Sequence, residues 1–231
     1  MTAKGVLFDF SGTLLRVEPT LRWLRAAMAE TGIAVPAEES AALAHRLESA
    51  GAQPGGASPQ SVPQELRLLW EQRDEDAAKH RAAFTGLARQ VPLPHSDLYD
   101  ALYERSRKPD AWQPYPDTAE VLSTLAQRGV PVAVVSNIGW DLRPVFREHG
   151  LAPYVRDYVL SYEHGVQKPD PRLFLAGCAA LGLAPQDVLM VGDEERADSG
   201  AAEIGCAVHL VRHLPPGERP DGLRPVLALA G

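Results

Sequence analysis

The sequence predicts an α/β fold: a Rossmann-like parallel sheet core with an α-helical domain inserted after the first strand. Three observations carry this. Short apolar runs rich in valine and leucine, bounded by Gly, Asp or Pro, recur at residues 5–10, 131–136, 188–191 and 206–211, with a weaker one at 158–161. Such runs suit strands buried on both faces. Helical patterns at 118–128, 142–149, 172–181 and 197–204 alternate with the later runs, and strands joined in that way form a parallel sheet with right-handed crossovers. The span from Arg16 to Trp112 carries helical periodicity and no strand pattern.

Taken in order, the first strand runs into Asp9. Amphipathic segments follow at 21–31, 38–50, 65–87 and 97–107. Between the second and third of these, residues 52–63 (AQPGGASPQSVP) are rich in Gly, Pro and Ser and read as a mobile loop. The stretch WQPYPD at 112–117 marks the return to the sheet. The expected division is therefore 1–15 and 113–231 for the core and 16–112 for the helical domain. In the core, Gly129, Gly150, Gly182 and Gly205 each follow a helical pattern, where a C-cap belongs. Residues 214–220 form a Pro/Gly loop before a short terminal helix.

Composition narrows the function. With 45% hydrophobic and 23% charged residues in 231, a core can be buried and wholesale disorder is excluded. The net charge of −7 opposes a nucleic-acid or anionic-membrane partner, both of which need a cationic footprint. No stretch approaches the roughly 20 apolar residues of a membrane span, and the N-terminus MTAKGVLFDFSGTLL lacks the apolar length of a signal peptide. Cys178 and Cys206 lie in apolar stretches and read as core thiols. The expectation is a soluble cytoplasmic protein, monomer or homodimer. Its seven histidines show no ligand spacing and read as surface or strand residues.

Parallel sheets bind ligands at the carboxyl ends of their strands. Those ends hold Asp9, Ser11 and Thr13 after the first strand, Ser136 and Asn137 after the second, and Gly192 and Asp193 after the fourth, with Asp198 five residues on. Lys168 lies in the loop after the third strand. Clustered carboxylates repel one another and call for a hard divalent cation, foremost Mg²⁺. A cation beside a lysine makes a site for a phosphoryl group, and a carboxylate can be the covalent nucleophile. The residues thus point to metal-assisted phosphoryl transfer to Asp9, with a small phosphorylated molecule as substrate.

In this order DFSGT, VVSN, VQKPDP and VGDEERAD resemble the four motifs of the haloacid dehalogenase-like (HAD) hydrolase superfamily, and the helical insertion resembles its type 1 cap. The resemblance implies a strand order of 5-4-1-2-3, Asp9 as nucleophile, and Ser136, Asn137 and Lys168 at the substrate, with Lys168 also keeping Asp9 ionised. It implies Mg²⁺ held by Asp9, the Ser11 main-chain carbonyl and Asp193, with Asp198 assisting through water.

Two departures qualify the activity. Family phosphatases usually read DxDGT, whose second Asp protonates the leaving alkoxide and then activates water; here Ser11 stands there. General acid–base catalysis contributes about 10²–10⁴-fold, so alkyl phosphates are expected to suffer and acyl or aryl phosphates least. A metal-independent 2-haloacid dehalogenase needs no such proton and stays open, as does a catalytically feeble HAD-like protein. Gly192-Asp193, a metal-ligand arrangement with no use in a halide site, favours the phosphatase. The second departure is that Gly200-Ala201 begins seven residues after Asp193, one fewer than is common in the family. Asp198 is thereby less certain than Asp193, and Glu194 or Glu195 stands as its substitute. Arg16, Trp140, Trp23, Arg22, Arg25 and Trp70 are further candidates for the pocket or its packing.

Overall fold

The computed structural model describes residues 2–231. Its strands are β1 (Gly5–Phe8), β2 (Leu15–Val17), β3 (Trp112–Pro114), β4 (Val132–Ser136), β5 (Asp157–Leu160), β6 (Val188–Gly192) and β7 (Ala207–Leu210). Five form one sheet, in the order β5-β4-β1-β6-β7, with every pairing parallel. Counted among themselves these five run 3-2-1-4-5, which is 5-4-1-2-3 read from the other edge. The difference from the expected set is the extra pair β2 and β3. They form a separate antiparallel ribbon matching Leu15 to Pro114, Arg16 to Gln113 and Val17 to Trp112.

The central strand sorts its side chains by period two. Val6 and Phe8 face one apolar layer with Val121, Leu125 and Phe146, whereas Leu7 faces the other with Phe174, Cys178 and Met190. The helices of these layers include α6 (Thr118–Gln127) and α7 (Arg143–Glu148) on the first side; α8 (Ser161–His164), α9 (Pro171–Leu181) and α10 (Glu195–Asp198) complete the crossovers. Asp170 caps α9 by accepting from Arg172 N, Pro171 occupies its first turn, and Gly182 closes it at φ 71°. Cys178 and Cys206 are buried as expected, with sulfurs 3.8 Å apart.

The helical insertion holds α1 (Thr20–Thr31), α2 (Ala37–Ser49), α3 (Arg67–Glu71), α4 (Ala77–Ala88) and α5 (Asp97–Ser106). It has its own apolar cluster, in which Trp23, Leu43, Leu47 and Leu102 meet. The single amphipathic segment expected at 65–87 is broken: α3 ends at Glu71, and Asp76, extended at φ −153°, starts α4 by accepting from Lys79 N at 2.7 Å. The loop expected to be mobile at 52–63 is tied down at its start. Buried Gln53 donates to the Glu18 carbonyl and accepts from Thr20 Oγ1, each at 2.9 Å. Composition reported the flexible backbone but not the one glutamine that anchors it.

Candidate active site

Asp9 leaves the end of β1 with its N–H donating to the Val191 carbonyl at 2.9 Å, which pins its carboxylate at the carboxyl edge of the sheet. Lys168 reaches the same point from the loop before α9. Its ammonium donates to Asp9 Oδ1 at 2.7 Å and to Asp198 Oδ1 at 2.5 Å. The second Asp198 oxygen accepts from the N–H groups of Asp193 and Glu194, both at 3.0 Å. A β-carbon on Gly192 would lie 2.1 Å from that carboxylate, so only glycine fits there. Asp193 in turn accepts from Thr13 Oγ1 at 3.0 Å.

Asn137 is committed to the lysine loop. It accepts from Lys168 N at 2.7 Å and donates to the Lys168 carbonyl at 3.0 Å. Its side chain thereby positions Lys168, and the residue also lines the cavity where a substrate contact is expected. All seven residues singled out from the sequence (Asp9, Ser11, Ser136, Asn137, Lys168, Asp193 and Asp198) line one cavity of about 480 Å³. The insertion supplies much of the opposite wall, including Gln53, Gly55, Trp70 and Arg73.

The charges do not balance. Carboxylate oxygens of Asp9, Asp193 and Asp198 lie within 4.8 Å of one another, around a single ammonium. Burial, then repulsion from Asp198 and Asp193, pushes Asp9 up to about 8, against the pull of Lys168. Burial works against the Lys168 charge too, yet Asp198 and Asp9 outweigh it and hold the ammonium above the usual lysine range. Among the described residues, Asp9 Oδ2 has only a 3.5 Å contact from Thr13. An oxygen-only donor set with surplus negative charge and an uncommitted carboxylate oxygen fits Mg²⁺.

Residues 3–205 match the family model of haloacid dehalogenase-like hydrolases. The chain belongs to that family. Among curated relatives of this HAD hydrolase, the phosphoserine phosphatase of Thermus thermophilus is 29% identical over 152 residues, 60% of each chain. The (S)-2-haloacid dehalogenase 4A of Burkholderia cepacia is 33% identical over 92 residues, 39% of this chain and 40% of its own. This HAD chain thus spans less than two thirds of either relative. Among solved structures, the HAD-hydrolase YfnB of Bacillus subtilis bound to magnesium aligns with a TM-score of 0.65 at 18% identity, covering 93% of both chains. At that identity the likeness speaks for the fold alone. No helix among the described residues of the HAD chain is long and apolar enough to cross a membrane.

Two residues of this HAD site, His213 and Arg219, carry no sequence signal that periodicity or spacing could expose, and Thr13, already placed at the strand end, gains a partner. Thr13 joins Asp9 to Asp193. His213 contacts Asp193 Oδ2 through Nδ1. Arg219 donates to the Gly12 carbonyl at 2.6 Å and to the Thr13 carbonyl, with its guanidinium 3.3 Å from the Tyr115 ring centroid. Both His213 and Arg219 lie beyond the span of the family match.

The histidine expectation is corrected for one member. His80 is buried in α4 on the cavity wall, bonded to the Tyr103 hydroxyl at 3.0 Å, whereas His213 is exposed as expected and lies at the cavity rim. Burial, and then the Arg73 charge, pulls His80 down to about 3. Of the aromatic candidates, Trp23 is core and bonds Leu102 O and Ser106 Oγ, and Trp140 packs among His80, Tyr103 and Trp112. Trp70 reaches the cavity, with Arg73 stacked 4.0 Å over its ring.

Proposed function

We propose that this HAD hydrolase is a Mg²⁺-dependent phosphatase that hydrolyses a small phosphorylated metabolite through an aspartyl-phosphate on Asp9. One observation carries the reading: three carboxylates converge at the carboxyl edge of the sheet, only two of them paired with Lys168, leaving negative charge that a cation would balance and so admit a phosphoryl group. A 2-haloacid is itself anionic and would be repelled by Asp193 and Asp198, so dehalogenation is the weaker reading. The phosphatase relatives support the same choice.

In this reading Asp9 attacks phosphorus. The new Asp9 O–P bond forms as the bond to the leaving oxygen breaks, and water then attacks phosphorus to release phosphate and regenerate Asp9. Lys168 favours the ionised form of Asp9 before attack, against the burial that raises it, and, with Ser136, holds the phosphoryl oxygens. Asp198 and Asn137 fix Lys168 through its ammonium and main chain respectively. Mg²⁺, held by Asp9, the Ser11 carbonyl and Asp193 with Asp198 behind them, would supply charge neutralisation of the phosphoryl oxygens. Ser11 is a poor acid and no carboxylate base, which favours acyl or aryl leaving groups.

Residues 16–112 act as a cap that excludes water over the core formed by 1–15 and 113–231. The net charge of −7 supports a diffusible metabolite over a nucleic acid, and a cytoplasmic monomer or homodimer completes the reading.

The test is product release from aryl, acyl and sugar phosphates and a 2-haloacid, with and without Mg²⁺, using Asp9→Asn as the blank. Mg²⁺-dependent phosphate release that vanishes in the variant is expected. Metal-independent halide release would overturn the reading.

A further inference from the structure

Arg16 is the middle residue of β2, opposite Gln113. Its neighbours Leu15 and Val17 are buried in the apolar layer, so the alternation of an extended strand turns Arg16 to the other side. That side faces two adjoining cavities. One is the cavity of Asp9; the other, of about 500 Å³, lies across the strap formed by residues 53–57. Arg16, Gln53, Gly56 and Ala57 line both.

The neighbouring arginines are all committed. Arg22 pairs with Glu18 at 3.0 Å, Arg73 reaches Asp74 and the Trp70 carbonyl, and Arg219 holds the Gly12 and Thr13 carbonyls. Arg16 has no hydrogen bond or ion pair from its guanidinium among the described residues, and its Nη1 is sealed from solvent with no acceptor. The charge it bears upon is another cation, Arg219. Arg16 is half-buried, and a guanidinium nitrogen sealed from water without an acceptor is costly, which an anion entering beside it would relieve.

We propose that Arg16 binds a second anionic group of the substrate, so that the phosphate monoester handled at Asp9 also carries a carboxylate or a further phosphoryl group. This rests on the phosphatase reading for the first group and on the unpaired guanidinium for the second. The two groups would lie in the joined cavities, with the reacting phosphoryl at Lys168 and the second anion at the Arg16 end. A bidentate contact there adds orientation as well as affinity.

The experiment is calorimetric binding to the full chain in Mg²⁺, with probes that cannot turn over. Methylphosphonate carries one anionic group, phosphonoacetate and 3-phosphonopropionate add a carboxylate, and 1,3-propanediphosphonate adds a phosphoryl group. At least one doubly anionic probe is expected to bind about tenfold or more tighter than methylphosphonate, as a charge-assisted pair allows. The probe that does so separates carboxylate from phosphoryl. Arg16→Gln should collapse that preference to within about twofold.

Three results would overturn the proposal: no preference in the wild type, a preference that survives Arg16→Gln, or an equal weakening of every probe. The last would assign Arg16 to the transferring phosphoryl group. Should Arg16→Gln not fold, Arg16→Lys keeps the charge but loses the planar fork, and the preference should fall about fivefold; an unchanged preference would sink the idea. Mg²⁺-dependent phosphate release from an aryl phosphate tests the phosphatase reading separately, so either can fail alone.

Discussion

Gly55 of the helical insertion comes so close to Ser11 of the nucleophile loop that a β-carbon on it would lie 2.8 Å from the serine hydroxyl and 2.4 Å from the Trp112 ring. Its φ of +75° is a second reason for glycine. The insertion thus rests bare backbone on the position where family phosphatases carry their second aspartate.

Ser11→Asp should therefore raise turnover of alkyl phosphates, but by less than the full 10²–10⁴ that acid–base catalysis supplies, about tenfold. The longer carboxylate has to displace the strap at Gly55. Steady-state kinetics on a sugar phosphate and an aryl phosphate reads it, and the gain should be confined to the poorer leaving group. An unchanged rate would mean that the proton comes from another group.

Mg²⁺ should stabilise the protein against heat. At a concentration a hundredfold above its Kd, linkage gives about 2.7 kcal/mol. Asp193→Asn should abolish most of the shift in melting temperature, because it removes one charge from the cluster without removing bulk. Melting curves with and without Mg²⁺ measure both arms, and an equal shift in the variant would place the ion elsewhere.

Arg219→Ala should destabilise the fold and slow turnover together. It leaves the Gly12 and Thr13 carbonyls without their donor, at about 1–3 kcal/mol for each buried group left unsatisfied. A loss of about 3 kcal/mol in urea denaturation is expected, with kcat falling more than KM rises. Arg219→Lys, which cannot span both carbonyls as a fork, should be intermediate.

Acid stability should depend on His80. Its folded value is about 3 against 6.5 unperturbed, so between those pH values the unfolded chain binds the extra proton. This group's contribution is complete above 6.5 and is lost as pH falls toward 3, with a slope of up to about 1.4 kcal/mol per pH unit. His80→Phe removes the titration, and denaturant midpoints from pH 7 to 4 should fall less steeply than in the wild type. The neighbouring Asp74, 3.6 Å from His80 Nε2 and pushed upward chiefly by its own burial, titrates in both proteins.

Much of this was legible in the residues. The three central strands announced themselves because burial on both faces demands uninterrupted apolar residues, whereas the edge strands β5 and β7 are only partly buried or exposed. The seven site residues stood out because strand ends in a parallel sheet converge. His213 and Arg219 were illegible for a common reason: their roles depend on which carbonyl or carboxylate they meet across long chain separations, and no local period encodes that. The β2–β3 ribbon escaped because three-residue strands are too short to show alternation. Gln53 was hidden inside a stretch whose Gly, Pro and Ser content spoke only of backbone freedom.

The Arg219 clamp also sets a timetable for synthesis. Gly12 leaves the ribosome well before the side chain that closes its loop, which is 207 residues downstream. At about 5–20 residues per second that is a wait of roughly 10–40 s. Through that interval the nascent chain can present Asp9 and the insertion but not a fastened nucleophile loop, so the loop stays open until Arg219 itself has been made.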